Sequence, residues 1–404
     1  MSAPTLREAW TADRLDTAVR DYIHFHRHPE LSGQEERTAA AIRERLVALG
    51  LEVHDVGTHG VVGVLRNGDG PVVAYRADID GLPISEDTGL DYASTDTAVL
   101  DGTQVPTMHA CGHDTHIAVA LALLGALAES PAAWSGTVVW IFQPAEETAA
   151  GAAGMIADGL WDRVPRPTVV LGQHVTAIAA GQVSIGAGNI MNLGDSWRIT
   201  IRGRGAHGAK PQDSIDPIVI AAHTIVRLQT IVSRETDPAH PVVVTVGQIH
   251  AGLKENIIPD EAVFALNVRT PDTVVRERVL DAVRRIVDAE AAAGGAEPPR
   301  FESISHFPRC YNDPEHAEVA ALALDEEFGG ASVSRSLRAT GSEDVGALAD
   351  AIGVPLVFWM FGAYAPGRET MPANHSPHFA PDGREAVDTG ARAGLAVLGR
   401  FLAT

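Results

Sequence analysis

A short segment near residue 110 holds side chains that could bind a metal ion. Within eight positions, MHACGHDTH contains His109, Cys111, His113 and His116. The whole chain of 404 residues has only 17 histidines and two cysteines. Imidazole and thiolate are the ligands that borderline metals such as Zn²⁺ prefer. Because Cys111 and His113 precede an apolar helix predicted over 116–128, we expect both to reach one ion, with packed or capping histidines as the alternative.

A pair of acidic residues follows a strongly apolar run in IFQPAEE. Adjacent side chains leaving a strand point in opposite directions, so Glu146 and Glu147 can have different tasks. One could bind a metal ion while the other acts as the general base that hydrolysis requires. A solvated surface pair is the alternative, but open α/β sheets place their sites at the carboxyl ends of strands.

Other polar side chains also lie at the ends of apolar runs. Asp78 and Asp80 end the run in AYRADID, and His174 ends the run in LGQHV. His375 lies beside Pro377 in NHSPHF, in a loop that could be a rigid ligand loop or a plain turn. Since the carboxyl ends of parallel strands share one edge of a sheet, we expect such side chains to gather there.

A second group of polar residues has a different chemistry. His207 lies in GRGAHGAKP, Asn256 in KENIIP and Arg269 in NVRT. Imidazole, amide and guanidinium groups suit an anion or a developing oxyanion rather than a metal ion. Ordinary polar residues of loops and sheet faces are the alternative.

The elements that must position these residues alternate along the first part of the chain. Apolar runs at 72–75, 137–142 and 168–174 are separated by helical patterns, which predicts an α/β fold with a mixed, largely parallel sheet. Two β-rich runs, 60–65 and 70–75, flank an Asn-Gly-Asp-Gly turn sequence and predict a hairpin.

After Gly188 the predicted order of helices and strands changes to β-α-β-β-α, with a last strand near Phe301. This pattern predicts a smaller inserted α+β domain with four strands and two helices. We therefore expect a catalytic domain made from residues 1–188 and 305–404, interrupted by an inserted domain at 189–304.

A capping box is predicted at the start of the second helix. Ser32 is followed three residues later by Glu35, and an apolar stripe continues until Gly50. The hydroxyl and the carboxylate are expected to satisfy the first backbone N–H groups of this helix.

Composition excludes several classes of protein. With 31 Lys and Arg against 52 Asp and Glu, the formal charge is −21, which argues against nucleic-acid binding. The longest apolar stretch, at 117–128, is too short to cross a membrane, and no secretory leader pattern is visible. Two cysteines cannot form a disulfide framework, so we expect a reducing, cytoplasmic setting. No role is assigned to Cys310.

Nine sequence motifs of this chain resemble, in residue type and in order along the chain, those of one known family. The resemblance is to the dinuclear metal-dependent aminoacylases and carboxypeptidases, in the branch that contains hippurate hydrolase and the indole-acetyl-amino-acid hydrolases. The motifs are HRHPELSGQE, RADIDGLPI, MHACGHDTH, FQPAEE, GQHV, GRGAHGAKP, ENIIPD, SED at 342–344 and HSPHF.

The resemblance implies a metal centre and a reaction. Two divalent ions, Zn²⁺ or else Mn²⁺ or Co²⁺, are expected on Cys111, His113, Glu147, His174 and His375. Glu146 would be the general base and then the proton donor for hydrolysis of an N-acyl amino acid, a small-molecule substrate.

The smaller domain would form a lid and pair two subunits into a homodimer. His207 would stabilise the oxyanion in the partner's site, and Asn256 and Arg269 would hold the substrate carboxylate. A dipeptidase or metallocarboxypeptidase, a thiol amidase using Cys111 as nucleophile, and a non-catalytic metal-stabilised scaffold are the alternatives.

Overall fold

The computed structural model describes residues 5–402, and clustering of its backbone contacts divides the chain into two units. The larger unit comprises Met1–Ile190, Cys310–Arg338 and Asp344–Thr404. The smaller unit comprises Met191–Arg309 and Ala339–Glu343. Three segments of the chain thus form the larger unit, and the two segments between them form the smaller one.

Ten α-helices and 18 strands are found in this described part of the chain, besides five short 3-10 or π-helical segments. The helices are α1 (Ala12–Arg27), α2 (Glu36–Ala48), α3 (His113–Glu129), α4 (Gly151–Ala157), α5 (Leu160–Arg163), α6 (Pro217–Thr230), α7 (Thr273–Ala293), α8 (Pro314–Phe328), α9 (Gly346–Asp350) and α10 (Gly383–Phe401). The strands are β1 (Glu52–Val56), β2 (Gly60–Asn67), β3 (Val72–Asp78), β4 (Thr97–Leu100), β5 (Thr103–Pro106), β6 (Gly136–Gln143), β7 (Val169–Ala179), β8 (Val183–Ile185), β9 (Gly188–Met191), β10 (Leu193–Arg202), β11 (Ala206–His207), β12 (Val243–Ala251), β13 (Ile257–Ile258), β14 (Glu261–Thr270), β15 (Arg300–Phe307), β16 (Cys310–Asn312), β17 (Val333–Ser334) and β18 (Leu356–Tyr364).

The larger unit is built on a ten-stranded sheet. Its strand order is β1-β2-β6-β3-β7-β18-β16-β9, with β8 and β17 off this path. The central strands β6, β3, β7 and β18 run parallel. They are almost continuous apolar runs whose residues are buried on both faces, as parallel strands covered by helices require. The predicted mixed, largely parallel sheet is confirmed.

The hairpin predicted around Asn67-Gly68 is wrong. Strands β2 and β3 do follow one another in sequence, but β6 lies between them. β6 pairs antiparallel with β2 and parallel with β3. A turn sequence favours a local hairpin, but the apolar β6 gains more burial when it inserts between the two strands.

The register of the central strands places three polar residues on one level. Asp78 pairs with Gln143 of β6, and Arg76, two residues earlier, pairs with Gly172 of β7. His174 therefore lies level with Asp78, although β7 continues to Ala179. The prediction that His174 ends its strand is wrong, but the strand pairing still brings it to the level where β3 and β6 end.

Helix α3 lies in the centre of the larger unit's core and is buried on almost every side. It contacts α1 and α10 as well as β3 and β7. It begins at His113, three residues earlier than the pattern predicted, so the metal-binding candidate His113 is part of its first turn.

The smaller unit has a four-stranded antiparallel sheet in the order β12-β14-β10-β15. Helices α6 and α7 contact this sheet, and their apolar residues form one core with it. The prediction of four strands and two helices is confirmed. Across residues 5–402, no helix combines the length and the apolar character that a membrane crossing demands.

Candidate metal centre

The five predicted metal ligands lie together in the larger unit. The Sγ atom of Cys111 is 3.4 Å from Nε2 of His174 and 3.2 Å from Nε2 of His375. The Oε1 atom of Glu147 is 3.2 Å from Nε2 of His375 and 4.0 Å from Nε2 of His113. Sulfur and nitrogen atoms bound to one tetrahedral Zn²⁺ would be about 3.5 Å apart, given bonds of roughly 2.3 and 2.0 Å.

Two atoms at this cluster are buried without a hydrogen bond. They are Nε2 of His113 and Oε1 of Glu147, neither of which makes a hydrogen bond of acceptable geometry within residues 5–402, although Oε1 lies 3.2 Å from Nε2 of His375. A buried polar atom left in this state is costly. A cation coordinated by both atoms would remove this cost, so the residues present fit a divalent metal ion.

Electrostatics at the cluster favour positive charge. Burial lowers the pKa of His113, but Asp78 and Asp80 outweigh it and raise that pKa to about 10. The carboxylates of Asp78 and Asp80 therefore stabilise positive charge at His113, whether the imidazole carries a proton or binds a metal ion. Burial, together with His116, lowers the pKa of His174 well below its ordinary value, which leaves a neutral imidazole able to bind metal.

The carboxylate of Asp80 holds two of the candidate ligands. Its Oδ1 lies 3.1 Å from Nδ1 of His113, and its Oδ2 accepts a hydrogen bond from the backbone N–H of Glu147 at 3.0 Å. A proton on Nδ1 of His113 leaves Nε2 free to face a metal. Such carboxylate-histidine pairs fix the tautomer and ring orientation of metal-binding histidines.

The other two histidines of the MHACGHDTH segment have different surroundings. Nδ1 of His116 is hydrogen bonded to Asp78, and its Nε2 accepts from the backbone N–H of Val175 at 2.8 Å. Since both of its nitrogens are engaged, His116 links Asp78, at the end of β3, to Val175 within β7. His109 is buried, and neither of its nitrogens meets a hydrogen-bonding group in the described part of the chain.

Unusual backbone conformations surround the centre. Gly112, between two candidate ligands, has φ +86°, and a Cβ atom there would lie 2.4 Å from Cγ1 of Val175. His375 has φ +68° and Ala145, directly before Glu146, has φ +49°. Strained non-glycine residues of this kind cluster at functional sites, where the surrounding structure must hold them in place.

Glu146 is a buried carboxylate beside the centre, with 5 % of its surface exposed. Carboxylate oxygens of Glu146 and Asp344 lie within 4.8 Å of each other. Asp344 also accepts from Gln143 at 2.6 Å and from Arg76 at 3.2 Å. Glu146 is thus a buried acid close to a second carboxylate, whose own oxygens accept from Gln143 and Arg76.

The remaining predicted residues belong to the smaller unit. His207 is exposed on β11, which pairs with β13, and the carbonyl of Asn256 accepts from the N–H of Gly208 at 2.8 Å. His207 and Asn256 are thus neighbours. Arg269 is elsewhere, on β14, where its guanidinium donates to Asn267 at 3.0 Å and to Ser342.

The predicted capping box at α2 is wrong. The hydroxyl of Ser32 donates to Oδ2 of Asp80 at 2.7 Å, and Oε1 of Glu35 accepts from the N–H of Ala145 at 2.8 Å. Glu30 instead accepts from the N–H groups of Arg37 and Thr38. The spacing of Ser32 and Glu35 does not indicate that their hydrogen-bond partners, Asp80 and Ala145, lie in loops far away along the chain.

Relatives of known activity and structure match most of this chain. It is 38 % identical over 296 residues to an N-acetyl-L-cysteine deacetylase of Bacillus subtilis, covering 72 % of this chain and 68 % of the relative. It is 35 % identical over 307 residues to hippurate hydrolase of Campylobacter jejuni, covering 76 % and 77 %. A crystal structure of a dinuclear metal-binding M20 peptidase from Bacillus subtilis superposes with a TM-score of 0.77, at 31 % identity, covering 97 % and 99 %.

The family follows from the sequence match as well as from these relatives. The model of peptidase family M20/M25/M40 matches residues 74–400, which include all five candidate ligands and Glu146. The resemblance inferred from the nine motifs is confirmed. The chain belongs to peptidase family M20/M25/M40.

Proposed function

We propose that this protein hydrolyses the amide bond of N-acyl amino acids, releasing a carboxylate and a free amino acid. The observation that carries the proposal is the gathering of the five ligand atoms, two of them buried without hydrogen bonds, beside the buried carboxylate of Glu146. The deacetylase and hippurate hydrolase relatives support an acyl amino acid as the substrate.

In this proposal Cys111, His113, Glu147, His174 and His375 hold two divalent ions. A thiolate, three imidazoles and a carboxylate suit Zn²⁺, with Mn²⁺ and Co²⁺ as alternatives. When bound, such ions polarise the amide carbonyl and make a water molecule more acidic.

Glu146 moves the proton. Its carboxylate takes a proton from the attacking water and delivers it to the amine nitrogen as the carbon-nitrogen bond breaks. Burial limits the access of bulk water to this carboxylate, so the proton is exchanged with the reacting groups rather than with solvent.

The substrate's carboxylate and oxyanion are assigned to residues of the smaller unit. Arg269 and Asn256 bind the carboxylate, and His207 stabilises the oxyanion of the tetrahedral species. The hydrogen bond to Asn267 and the contact with Ser342 orient the guanidinium of Arg269. Orientation before binding lowers the entropy cost of fixing this long side chain.

We further propose a homodimer in which His207 of each subunit serves the site of the other. Strand β12 is an edge strand, and the exposed apolar residues Val243 and Ile249 lie on it. Helix α6 exposes Val219 and Val226. An unpaired edge and exposed apolar side chains of one unit support pairing of two copies. Light scattering on a sizing column tests the assembly.

We place the protein in the cytoplasm. Cys111 and Cys310 are both buried, and the metal binding proposed for Cys111 requires a reduced thiol. Fractionation of cells that express the protein tests this location.

The reaction is tested by a hydrolysis panel combined with metal analysis. Acetyl, benzoyl and long-chain acyl amino acids are compared with dipeptides for the wild type, Glu146→Gln and Glu147→Gln. Glu146→Gln should keep both metal ions and lose roughly 10²–10⁴-fold in kcat. Glu147→Gln is the matched control and should lose metal. Wild-type turnover by Glu146→Gln would refute the assignment.

Two alternatives are separated by the same panel. A preference for dipeptides would favour a peptidase, in line with the name of the structural relative. A thiol amidase is disfavoured because burial, with Glu147 and Glu146 nearby, raises the pKa of Cys111 well above its ordinary value, which suppresses the free thiolate. Activity that survives complete chelation would support the thiol mechanism.

A further inference from the structure

The segment between α1 and α2 reaches the loop that carries the catalytic candidate Glu146. Glu35 is completely buried, although it directly precedes α2. Its Oε1 accepts hydrogen bonds from the N–H of Gly33 at 2.9 Å and from the N–H of Ala145 at 2.8 Å. The second of these bonds joins the segment to the residue immediately before Glu146.

Ala145 needs such a bond because its backbone is strained. Its φ of +49° is in the left-handed region, which is unfavourable for residues other than glycine. The carbonyl of Ala145 accepts from the N–H groups of Ala150 and Gly151, both at 3.1 Å. The hydrogen bond to Glu35 holds the N–H of Ala145, so the peptide groups on both sides of the Ala145 Cα are fixed.

A purely stabilising role does not account for Glu35. Its Oε2 is buried and accepts no hydrogen bond from any residue in 5–402. Burial, with Asp80 nearby, raises the pKa of Glu35 to about 7, which means that an ionised carboxylate at this position is destabilised. Glu30, and not Glu35, caps the helix, because its carboxylate accepts from the N–H groups of Arg37 and Thr38 in the first turn of α2.

We propose that Glu35 is a positioning residue for the hydrolysis proposed above, because its hydrogen bond holds Ala145 in the left-handed conformation and thereby fixes the carboxylate of Glu146. Glu35 contacts neither substrate nor metal in this role. Its acceptor atom is required and its charge is not, since one oxygen accepts both N–H groups.

The test compares Glu35→Ala and Glu35→Gln with Glu30→Ala. Glu30 is a neighbouring buried acid whose side chain forms hydrogen bonds to Arg37 and Thr38 of α2. Glu35→Ala should keep its metal ions and its KM but lose up to about 10²-fold in kcat, as expected when a catalytic group is misplaced by about 1 Å. Glu35→Gln keeps the acceptor oxygen and should restore most of kcat. Glu30→Ala should lower the unfolding midpoint and leave kcat unchanged.

Hydrogen exchange of residues 144–150 gives a readout that does not depend on activity. It should be faster in Glu35→Ala than in the wild type, and unchanged in Glu30→Ala. If the wild type cleaves no acyl amino acid, the proposed reaction fails, while the exchange data still decide the role of Glu35.

Wild-type kcat together with wild-type exchange in Glu35→Ala would overturn the proposal. Equal losses of kcat in Glu35→Ala and Glu30→Ala would also overturn it, because general destabilisation would then explain both. Should the alanine variant fail to fold, Glu35→Asp, which is one methylene shorter, is expected to show the same loss of kcat.

Discussion

Replacing His26 with glutamine should change how the stability of the larger unit depends on pH. His26 is buried on α1, with Nδ1 2.6 Å from Oδ2 of Asp114 and Nε2 3.0 Å from Oε1 of Glu86. Burial lowers the pKa of His26, but the hydrogen bonds to Asp114 and Glu86 outweigh it and raise the pKa to about 9. The folded protein therefore holds a buried imidazolium between two carboxylates.

The size and sign of the effect follow from this pKa. The ordinary value is 6.5, and about 1.36 kcal/mol per pKa unit converts the difference into roughly 3 kcal/mol. Because the folded pKa lies above the unfolded one, this contribution is complete below about pH 6.5. It is lost as the pH rises through about 9.

The assay is urea unfolding followed by tryptophan fluorescence at several pH values from about 6 to 9.5. Fluorescence reports mainly on the larger unit, because only Trp197 lies in the smaller one. The tryptophans of the larger unit are Trp10, Trp134, Trp140, Trp161 and Trp359.

The wild type should lose roughly 3 kcal/mol more than His26→Gln over this range. His24→Gln, an exposed histidine on the same helix, is the control and should parallel the wild type above pH 6.5. Parallel curves for the wild type and His26→Gln would refute a charged, buried His26.

Three further predictions concern the metal centre and the substrate. Gly112→Ala adds left-handed strain of about 1–2 kcal/mol and a clash with Val175, so this variant should lose bound metal. Gly181→Ala is the control, because Gly181 also has a positive φ, of +82°, but has open space around it, and this variant should keep its metal. Equal metal contents in the two variants would contradict the prediction. Asp80→Asn should weaken metal affinity roughly 10–100-fold in competition with a chelator, and an unchanged affinity would rule out its orienting role. Arg269→Gln should raise KM roughly 10–100-fold with little change in kcat, and a loss confined to kcat would argue against carboxylate binding.

The sequence singled out most of the side chains that lie together in the candidate centre. Cys111 and His113 stood out by residue type and spacing, and Glu146 and Glu147 by their place after an apolar run. These signals are local, because ligand type and strand patterning are properties of short segments. The alternation of apolar runs and helical patterns likewise predicted the largely parallel sheet and the four-stranded second unit.

The sequence failed where a residue's partner is far away along the chain. The turn at Asn67-Gly68 has hairpin chemistry, yet β6 separates the two strands because long-range burial outweighs a local turn preference. Ser32 and Glu35 have capping-box spacing, yet their side chains bond Asp80 and the amide of Ala145, 110 positions after Glu35.

Residue type and local pattern therefore determined which side chains of this protein can bind a metal ion or move a proton. Only the tertiary structure decided which of them meet. Strand order and register bring Asp78, Gln143 and His174 to one level, and His116 has both ring nitrogens engaged while Nε2 of His113 has no hydrogen bond. The reason is physical: hydrogen-bond partners and burial depend on contacts between distant segments, which spacing along the chain does not encode.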